Sequence, residues 1–303
     1  MKRRDFIQQA TAGTALVTLG GVGLQSFSSP STRKITILHT NDVHSHIDAF
    51  GPNDGRNANK GGVARRATLV ENIRKENPHT LLLDAGDIFQ GTPYFNYYGG
   101  ELEFKLMSML KYDAATIGNH DFDNGIDGLY AQIPHAKFEF ISANYDFSNT
   151  VMDTHVKPYK TFVKDGIKIG VFGLGIELKG LVDPAMFKET KYLDPIEISQ
   201  DMTRILKDEE KCDLVICLSH LGYNYRNEPK VSDLSLAKAT KDIDLIIGGH
   251  THTFLPKPTI VKNIENKNVL VNQVGCYGIY LGKIDFYFDN GNNKSANGTS
   301  IIV

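Results

Sequence analysis

Five apolar, β-rich runs in this chain each stop at a cluster of aspartate, asparagine or histidine. "KITILHT" (34–40) runs into Asn41-Asp42-Val43-His44, and "HTLLLDAGD" (79–87) stops at Asp87. The lead-in "DAATI" (113–117) meets Gly118 and then Asn119, His120, Asp121 and Asp123. "CDLVICLSH" (212–220) stops at His220, and "DIDLIIGGHTH" (242–252) at His250 and His252. Helical patterns lie between these runs. "GGVARRATLVENIRKENP" places Val63, Ala67 and Val70 at helical spacing and is closed by Pro78. "GGELEFKLMSMLKY" predicts a helix with Leu102, Leu106, Met109 and Leu110 on one face, and "EISQDMTRILKDEEK" reads as an amphipathic helix. Strand–helix–strand repetition predicts an α/β fold, its buried sheets covered by helices. Sites in open α/β sheets gather beyond the carboxyl ends of the strands, so the five clusters are expected to converge on one pocket.

"FEFISAN" (138–144) and "IKIGVFGLG" (167–175) add strands, and "SDLSLAKATK" adds a short helix. The late runs "NVLVNQVG" and "IYLGKIDFYFD" come without helices between them, which predicts a second, mixed or antiparallel sheet; "DNGNNKSANGTS" reads as a polar tail. No low-complexity linker interrupts residues 35–288, so one domain spanning 31–303 is expected. Residues 1–30 are set apart from it. "MKRRDFIQQATAGTALVTLGGVGLQSFSS" has a basic start and a mild Gly/Ala/Thr-rich stretch, too short and too weakly apolar to span a membrane. Arg3-Arg4 before Asp5-Phe6-Ile7 resembles a twin-arginine export signal, which predicts a periplasmic or extracellular protein with no transmembrane segment in its mature chain.

The net charge of −2 over 303 residues gives no electrostatic reason to expect a nucleic-acid polymer or an anionic membrane as partner. Cys212, Cys217 and Cys276 are odd in number and lack finger spacing, so buried free thiols are expected. The glycine pairs 61–62 and 99–100 are not followed by G-K-[ST] and make no P-loop.

A lone D-x-H pair or Ser-His is commonly structural: Asp87 could cap a helix, and His220 could be a bonded core histidine. Two histidines two apart at a strand end suit a metal better than packing. Taken together, the clusters offer carboxylate, amide and imidazole donors without a thiolate, a set that suits Zn, Mn or Fe better than Ca or Mg. Seven donors exceed one tetrahedral shell and fit two ions sharing a carboxylate, with Asp87 as the shared residue. Paired ions of this kind activate water and clamp phosphoryl oxygens. His39 is expected in the core, and His79, His135 and His155 on the surface. His46 and the pair Arg65 and Arg66 are expected to be structural or solvated.

The ordered set "NDVH", "GDIFQG", "GNHDFD", "SH" and "GGHTH" resembles the calcineurin-like metallophosphoesterases. "ILHTNDVHS", "GGVARR", "GDIFQGTPYFNYYGGE" and "YDAATIGNHDFDNG" resemble, more narrowly, the catalytic domain of secreted bacterial 5′-nucleotidases, over about Ile35 to Leu281. The resemblance implies a four-layer αββα sandwich with the metal site at the carboxyl ends of the strands. It implies one divalent ion on Asp42, His44, Asp87 and His252, and a second on Asp87, Asn119, His220 and His250. His252 stands where many nucleotidases carry an amide and follows the broader superfamily form. Asn119 and His120 would meet the substrate phosphate, His120 as transition-state stabiliser or acid with Asp123 orienting it. The implied activity is hydrolysis of 5′-nucleotide phosphomonoesters. Alternatives are a phosphodiesterase acting on cyclic nucleotides or nucleotide-sugars, or a catalytic half whose separate partner chain brings the family's C-terminal specificity domain. A non-enzymatic, metal-stabilised binding subunit would have no use for an unliganded His120.

Overall fold

The computed structural model describes residues 32–289 and 293–303. The expected export signal at 1–30 lies outside them. In chain order the strands are β1 (Arg33–Thr40), β2 (Thr80–Asp84), β3 (Ala114–Ala115), β4 (Glu139–Phe140), β5 (Tyr145–Asp146), β6 (Tyr159–Lys164) and β7 (Ile167–Leu174). They continue with β8 (Lys191–Tyr192), β9 (Leu214–Ser219), β10 (Leu245–Gly248), β11 (Thr259–Lys262), β12 (Asn268–Asn272), β13 (Tyr280–Phe288) and β14 (Lys294–Ile302). The α-helices are α1 (Val63–Glu76), α2 (Pro93–Tyr98), α3 (Glu101–Met109), α4 (Gly125–Gln132), α5 (Pro184–Phe187), α6 (Pro195–Arg204) and α7 (Asp233–Ala239). Among the described residues, no helix is long and apolar enough to cross a membrane.

Two six-stranded sheets, ordered β14-β13-β1-β2-β3-β4 and β11-β12-β10-β9-β7-β6, make the two inner layers. The strands that end in the polar clusters run parallel in each: β1, β2 and β3 in one, β9 and β10 in the other. Antiparallel strands close three of the four edges, and β4, at the fourth, runs parallel to β3. Side-chain alternation then assigns each residue a layer. Ile35, Ile37, Leu81 and Leu83 face Ile169, Val171, Leu214, Ile216, Leu245 and Ile247 between the sheets. Leu38 and Leu82 point the other way, onto Val70, Ile73, Phe104, Met107, Ile126 and Leu129 of α1, α3 and α4. On the far side, Val215, Cys217 and Ile246 meet Met202 of α6 and Leu236 and Ala237 of α7. The result is the four-layer αββα sandwich. Helix α6 starts where it does because Asp194 accepts from the amides of Ile196 and Glu197 while Pro195 takes the first helical position.

Three local expectations change. A second, mixed sheet forms as expected and holds β12, but the last run lies outside it. Strand β12 pairs with β10 and β11 with β12 in the second sheet, whereas β13 returns antiparallel to β1 in the first. The polar tail is largely β14, paired with β13 over Tyr280–Phe288. Its residues are polar because it is an edge strand with much of its surface in water. On α3 the buried stripe is Phe104 and Met107, with the expected Leu110, just past the helix end, also in the core, while Met109 is 76% exposed. Glu103 is drawn inward on that side by a hydrogen bond from the Ser45 hydroxyl. Cys212 and Cys217 are buried free thiols, as the sequence suggests, and Cys276 is half-buried.

His39 is a core residue and a tie between the sheets: its Nε2 accepts from the Asn272 amide at 2.9 Å, and burial lowers its pKa to about 3. Its ring fits because Gly282 stands opposite it on β13, where a Cβ would lie 2.0 Å from His39 Nε2. Gly282→Ala is expected to cost about 1–3 kcal/mol through overpacking. The check is the shift of the urea midpoint at unchanged slope; an unshifted midpoint would show that the layers have slack here.

Candidate metal centre

The five strand ends converge as the sequence predicts. Asp42, His44 and His252 form one group of ligand atoms lying within 4.8 Å of one another, and Asp87, His220 and His250 form a second. Asp87 stands between them, its Oδ2 3.1 Å from His220 Nε2 and 3.9 Å from His44 Nε2. Asn119 joins the second group through His250, with Oδ1 2.8 Å from His250 Nδ1. All seven residues sought as ligands are therefore in one place.

Backbone geometry at these positions is unusual. Asp42, His44, Asp87, His250 and His252 hold φ of 50°, 50°, 55°, 70° and 51°, in the left-handed region that non-glycine residues rarely occupy. Each such residue costs of order 1–3 kcal/mol, and such strain clusters at functional sites. It is held by cross-loop bonds: the amide of Asp42 donates to the Gly86 carbonyl, that of His44 to the Asp87 carbonyl, and that of His250 to Asp42 Oδ1. The glycine of "GNHDFD" has a plain reason, since a Cβ on Gly118 would sit 2.2 Å from Asp87 Oδ1.

The donor atoms face one another at close range. His220 Nδ1 donates to the Ala85 carbonyl at 2.7 Å, which directs Nε2 toward Asp87 Oδ2 at 3.1 Å. That Nε2 is buried and makes no hydrogen bond. His44 repeats the arrangement. Its Nδ1 donates to the Phe89 carbonyl at 3.2 Å, and its Nε2 confronts His252 Nε2 at 3.0 Å. Carbonyls that fix the ring tautomer from behind are the usual support of metal-bound histidines. The field also favours positive charge. Although burial works against it, the Asp87 carboxylate raises the His220 imidazole to about 10. Hydrogen bonding to Asp42 does the same for His252, also to about 10. Asp87 itself is held well below the ordinary carboxylate range, despite its burial, chiefly by His220. Closely spaced imidazole, carboxylate and amide donors in a pocket that favours positive charge fit divalent cations.

His120 belongs to neither group. Its ring lies 5.3 Å from that of His44, its amide donates to Asp87 Oδ1 at 2.8 Å, and its Nδ1 bonds Asp123 Oδ2 at 2.9 Å. That bond to Asp123 is the main cause of its raised pKa. With Nδ1 committed to Asp123, Nε2 is the nitrogen left to act.

The supporting roles of three residues named in the sequence were not assigned there. Asp121, inside "GNHDFD", accepts from the backbone amides of Asp87, Ile88, Phe89 and Gly118 at 2.8–3.1 Å and pins the loop that carries Asp87. Asn41 donates to Asp42 Oδ2 and the Gly275 carbonyl and accepts from the amide of Val274. Arg66 is buried behind the centre, near Asp84, whose carboxyl burial pushes up to about 7. Arg65 is exposed and donates to the Asn59 carbonyl. A carboxylate beside a motif glycine hints at such a clamp, whereas nothing in the pattern around Arg66 distinguishes it from a surface arginine. Asp121→Asn turns an amide N–H₂ toward donors, and is expected to weaken metal affinity about 10–100-fold, the usual cost of losing outer support. Metal titration of the purified variant reads this directly; wild-type affinity would remove Asp121 from the support of the site.

A family model for calcineurin-like phosphoesterases matches residues 35–254. The chain is 36% identical over 287 residues to the trifunctional nucleotide phosphoesterase protein YfkN of Bacillus subtilis, covering 84% of this chain and 18% of that one. It is 34% identical to the snake venom 5′-nucleotidase of Crotalus adamanteus, covering 89% of this chain and 48% of that one. The crystal structure of a 5′-nucleotidase precursor from Thermus thermophilus superposes with a TM-score of 0.80 at 33% identity, over 89% of this chain and 55% of that one. The chain thus spans about half the length, or less, of these relatives. With its motifs, its four layers and its strand-end donors in agreement, the chain belongs to the calcineurin-like phosphoesterase family.

Proposed function

We propose that residues 31–303 form a two-metal phosphohydrolase domain acting on phosphomonoesters of the 5′-nucleotide class. The observation that carries this reading is the position of the Asp87 carboxylate between two donor groups. Asp42, His44, Asp87 and His252 would hold one divalent ion, and Asp87, Asn119, His220 and His250 the other. When bound, such a pair supplies an activated water and Lewis-acid polarisation of the phosphoryl oxygens; imidazole and carboxylate donors suit Zn, Mn or Fe. The protein's own part is positioning. The carbonyls of Ala85 and Phe89 hold the rings of His220 and His44 in the tautomer that presents Nε2. Asn119 and His120 stand where a phosphate oxygen would approach. His120, oriented by Asp123, keeps a proton at Nε2 for the leaving oxygen. Relatives named 5′-nucleotidase, in snake venom and in bacteria, support the choice of nucleotide monophosphates.

The experiment has two arms. Dialysis against a chelator is expected to abolish phosphate release from AMP, and Mn, Co or Zn to restore it; full turnover in metal-free buffer would sink the reading. In the reloaded protein, His120→Ala is expected to cut kcat by ~10²–10⁴ while both ions stay bound. Loss of an ion in that variant would make His120 a ligand instead. A cyclic nucleotide and a nucleotide-sugar assayed alongside separate phosphomonoesterase from phosphodiesterase activity. Adding candidate exported partner chains tests whether specificity is shared with a second polypeptide.

We also propose twin-arginine export to the periplasm or beyond, on the strength of Arg3-Arg4 and the mild stretch after it. Arg3→Lys with Arg4→Lys is expected to leave the precursor in the cytoplasm, read by fractionation and immunoblot. Unchanged secretion would point to the general route.

A further inference from the structure

The loop that carries His250 and His252 is held from behind by Gln273, a residue with no part in the proposed mechanism. Gln273 directly follows β12, which pairs in parallel with β10, the strand that runs into residues 249–253. Its side chain is fully buried. The amide Nε2 donates to the Gly249 carbonyl, and Oε1 accepts from the backbone amide of Thr253 and from the Thr251 hydroxyl, the last at 3.1 Å. One carboxamide thus grips residues 249, 251 and 253, the three that flank His250 and His252. Thr251 is fixed in turn by the Tyr223 amide, which donates to its Oγ1 at 2.9 Å. Two main-chain bonds of 3.0 Å complete the attachment: the Leu255 amide donates to the Gln273 carbonyl, and the Gly275 amide to the Thr253 carbonyl.

The backbone dictates which side chain can do this. A carbonyl only accepts and an amide N–H only donates, so the group facing Gly249 and Thr253 needs a donor and an acceptor side by side. Glutamine has both. A glutamate of the same size would set an oxygen against the Gly249 carbonyl. The glycines of "GGHTH" leave the room: a Cβ on Gly248 would lie 2.0 Å from Asp233 Oδ2 and 3.3 Å from Gln273 Nε2, and one on Gly249 would lie 2.8 Å from His220 Nδ1. Strain creates the need. His250 and His252 hold φ of 70° and 51°, so two left-handed residues stand on either side of Thr251. Buried bonds from a single fixed side chain oppose the relaxation of that segment.

We infer that Gln273 is the positioning residue of this loop, setting the His250 and His252 imidazoles together, and that its amide rather than its bulk is responsible. The inference rests on the two-ion reading above. His252 belongs to one donor group and His250 to the other. Loss of the clamp is therefore felt at both ions.

The test uses Gln273→Glu, which removes only the donation to Gly249, and Gln273→Met, which removes all three side-chain bonds at similar volume. Cobalt titration of the full chain, read by visible d–d absorption, is expected to show both binding steps weakened about 10–100-fold in either variant. Urea unfolding separates positioning from packing. Bound metal adds stability according to its affinity, so loss of a clamp lowers the midpoint more in cobalt than in chelator, whereas a residue that only fills space lowers both alike. In the chelated protein, amide hydrogen exchange at Thr253 is expected to be roughly ten-fold faster in Gln273→Met than in wild type, with β9 and β10 unchanged. Thr251→Val, which deletes one bond to Gln273, is expected to weaken both steps by a smaller factor, and it decides the matter if neither Gln273 variant folds. Wild-type cobalt affinity in the variants, or equal midpoint shifts with and without metal, would overturn the assignment. A wild-type protein that takes up no cobalt would overturn the two-ion reading instead. Exchange at Thr253 then decides the clamp alone: faster exchange supports it, and an unchanged rate overturns it.

Discussion

The crowding of imidazole and carboxylate donors around Asp87 is the constraint on which the rest of the structure depends. His220 Nε2 and Asp87 Oδ2 lie 3.1 Å apart in a buried pocket, and His44 Nε2 and His252 Nε2 lie 3.0 Å apart. Buried carboxylates and imidazoles held this close require positive charge among them, from ring protons or a divalent ion. The neighbourhood enforces the arrangement. Backbone carbonyls commit the far nitrogens of His220 and His44, and four amides converge on Asp121 to hold the Asp87 loop. Local strain at five donor positions follows, because side chains from short loops reach one point only if the backbone turns sharply.

The fold makes this arrangement tolerable. Parallel strands β1, β2, β9 and β10 place their carboxyl ends along one edge, and two sheets stacked face to face bring loops from both onto the same point. His39, bonded to Asn272 across the interface of the sheets, ties the layers together behind the site. Fully buried aliphatic faces on both sides of each central strand supply the rigid support that a strained centre requires. The rim is built differently. Phe50, His46 and Tyr277 lie outside the three cores and stack on one another beside the donor imidazoles.

The readable part of the sequence was the part governed by local rules. Apolar runs ending in Asp, Asn and His marked the strand ends, and helical spacing located α1, α3 and α6. Errors came where long-range pairing overrides local pattern. "KSANGTS" looks like a tail because an edge strand keeps polar residues on its wet face; only the nine-residue pairing with β13 makes it a strand. Leu102, Leu106, Met109 and Leu110 looked like the apolar face of α3. Packing kept Leu110 in the core, added Phe104 and Met107, and left Met109 outside, while Ser45 drew Glu103 in.

The sequence by itself determined the α/β class, the donor types and the order in which they arrive, because strand-end positions and side-chain chemistry are local properties. Tertiary structure alone decided which donors share a group, that Asp87 stands between the groups and that Asp121 clamps the loop. It also decided that Arg66 is buried and that Tyr277 reaches His252. Those are distances between residues far apart in the chain, and they are set by the register of the two sheets and the close approach of their loops, which no local pattern encodes.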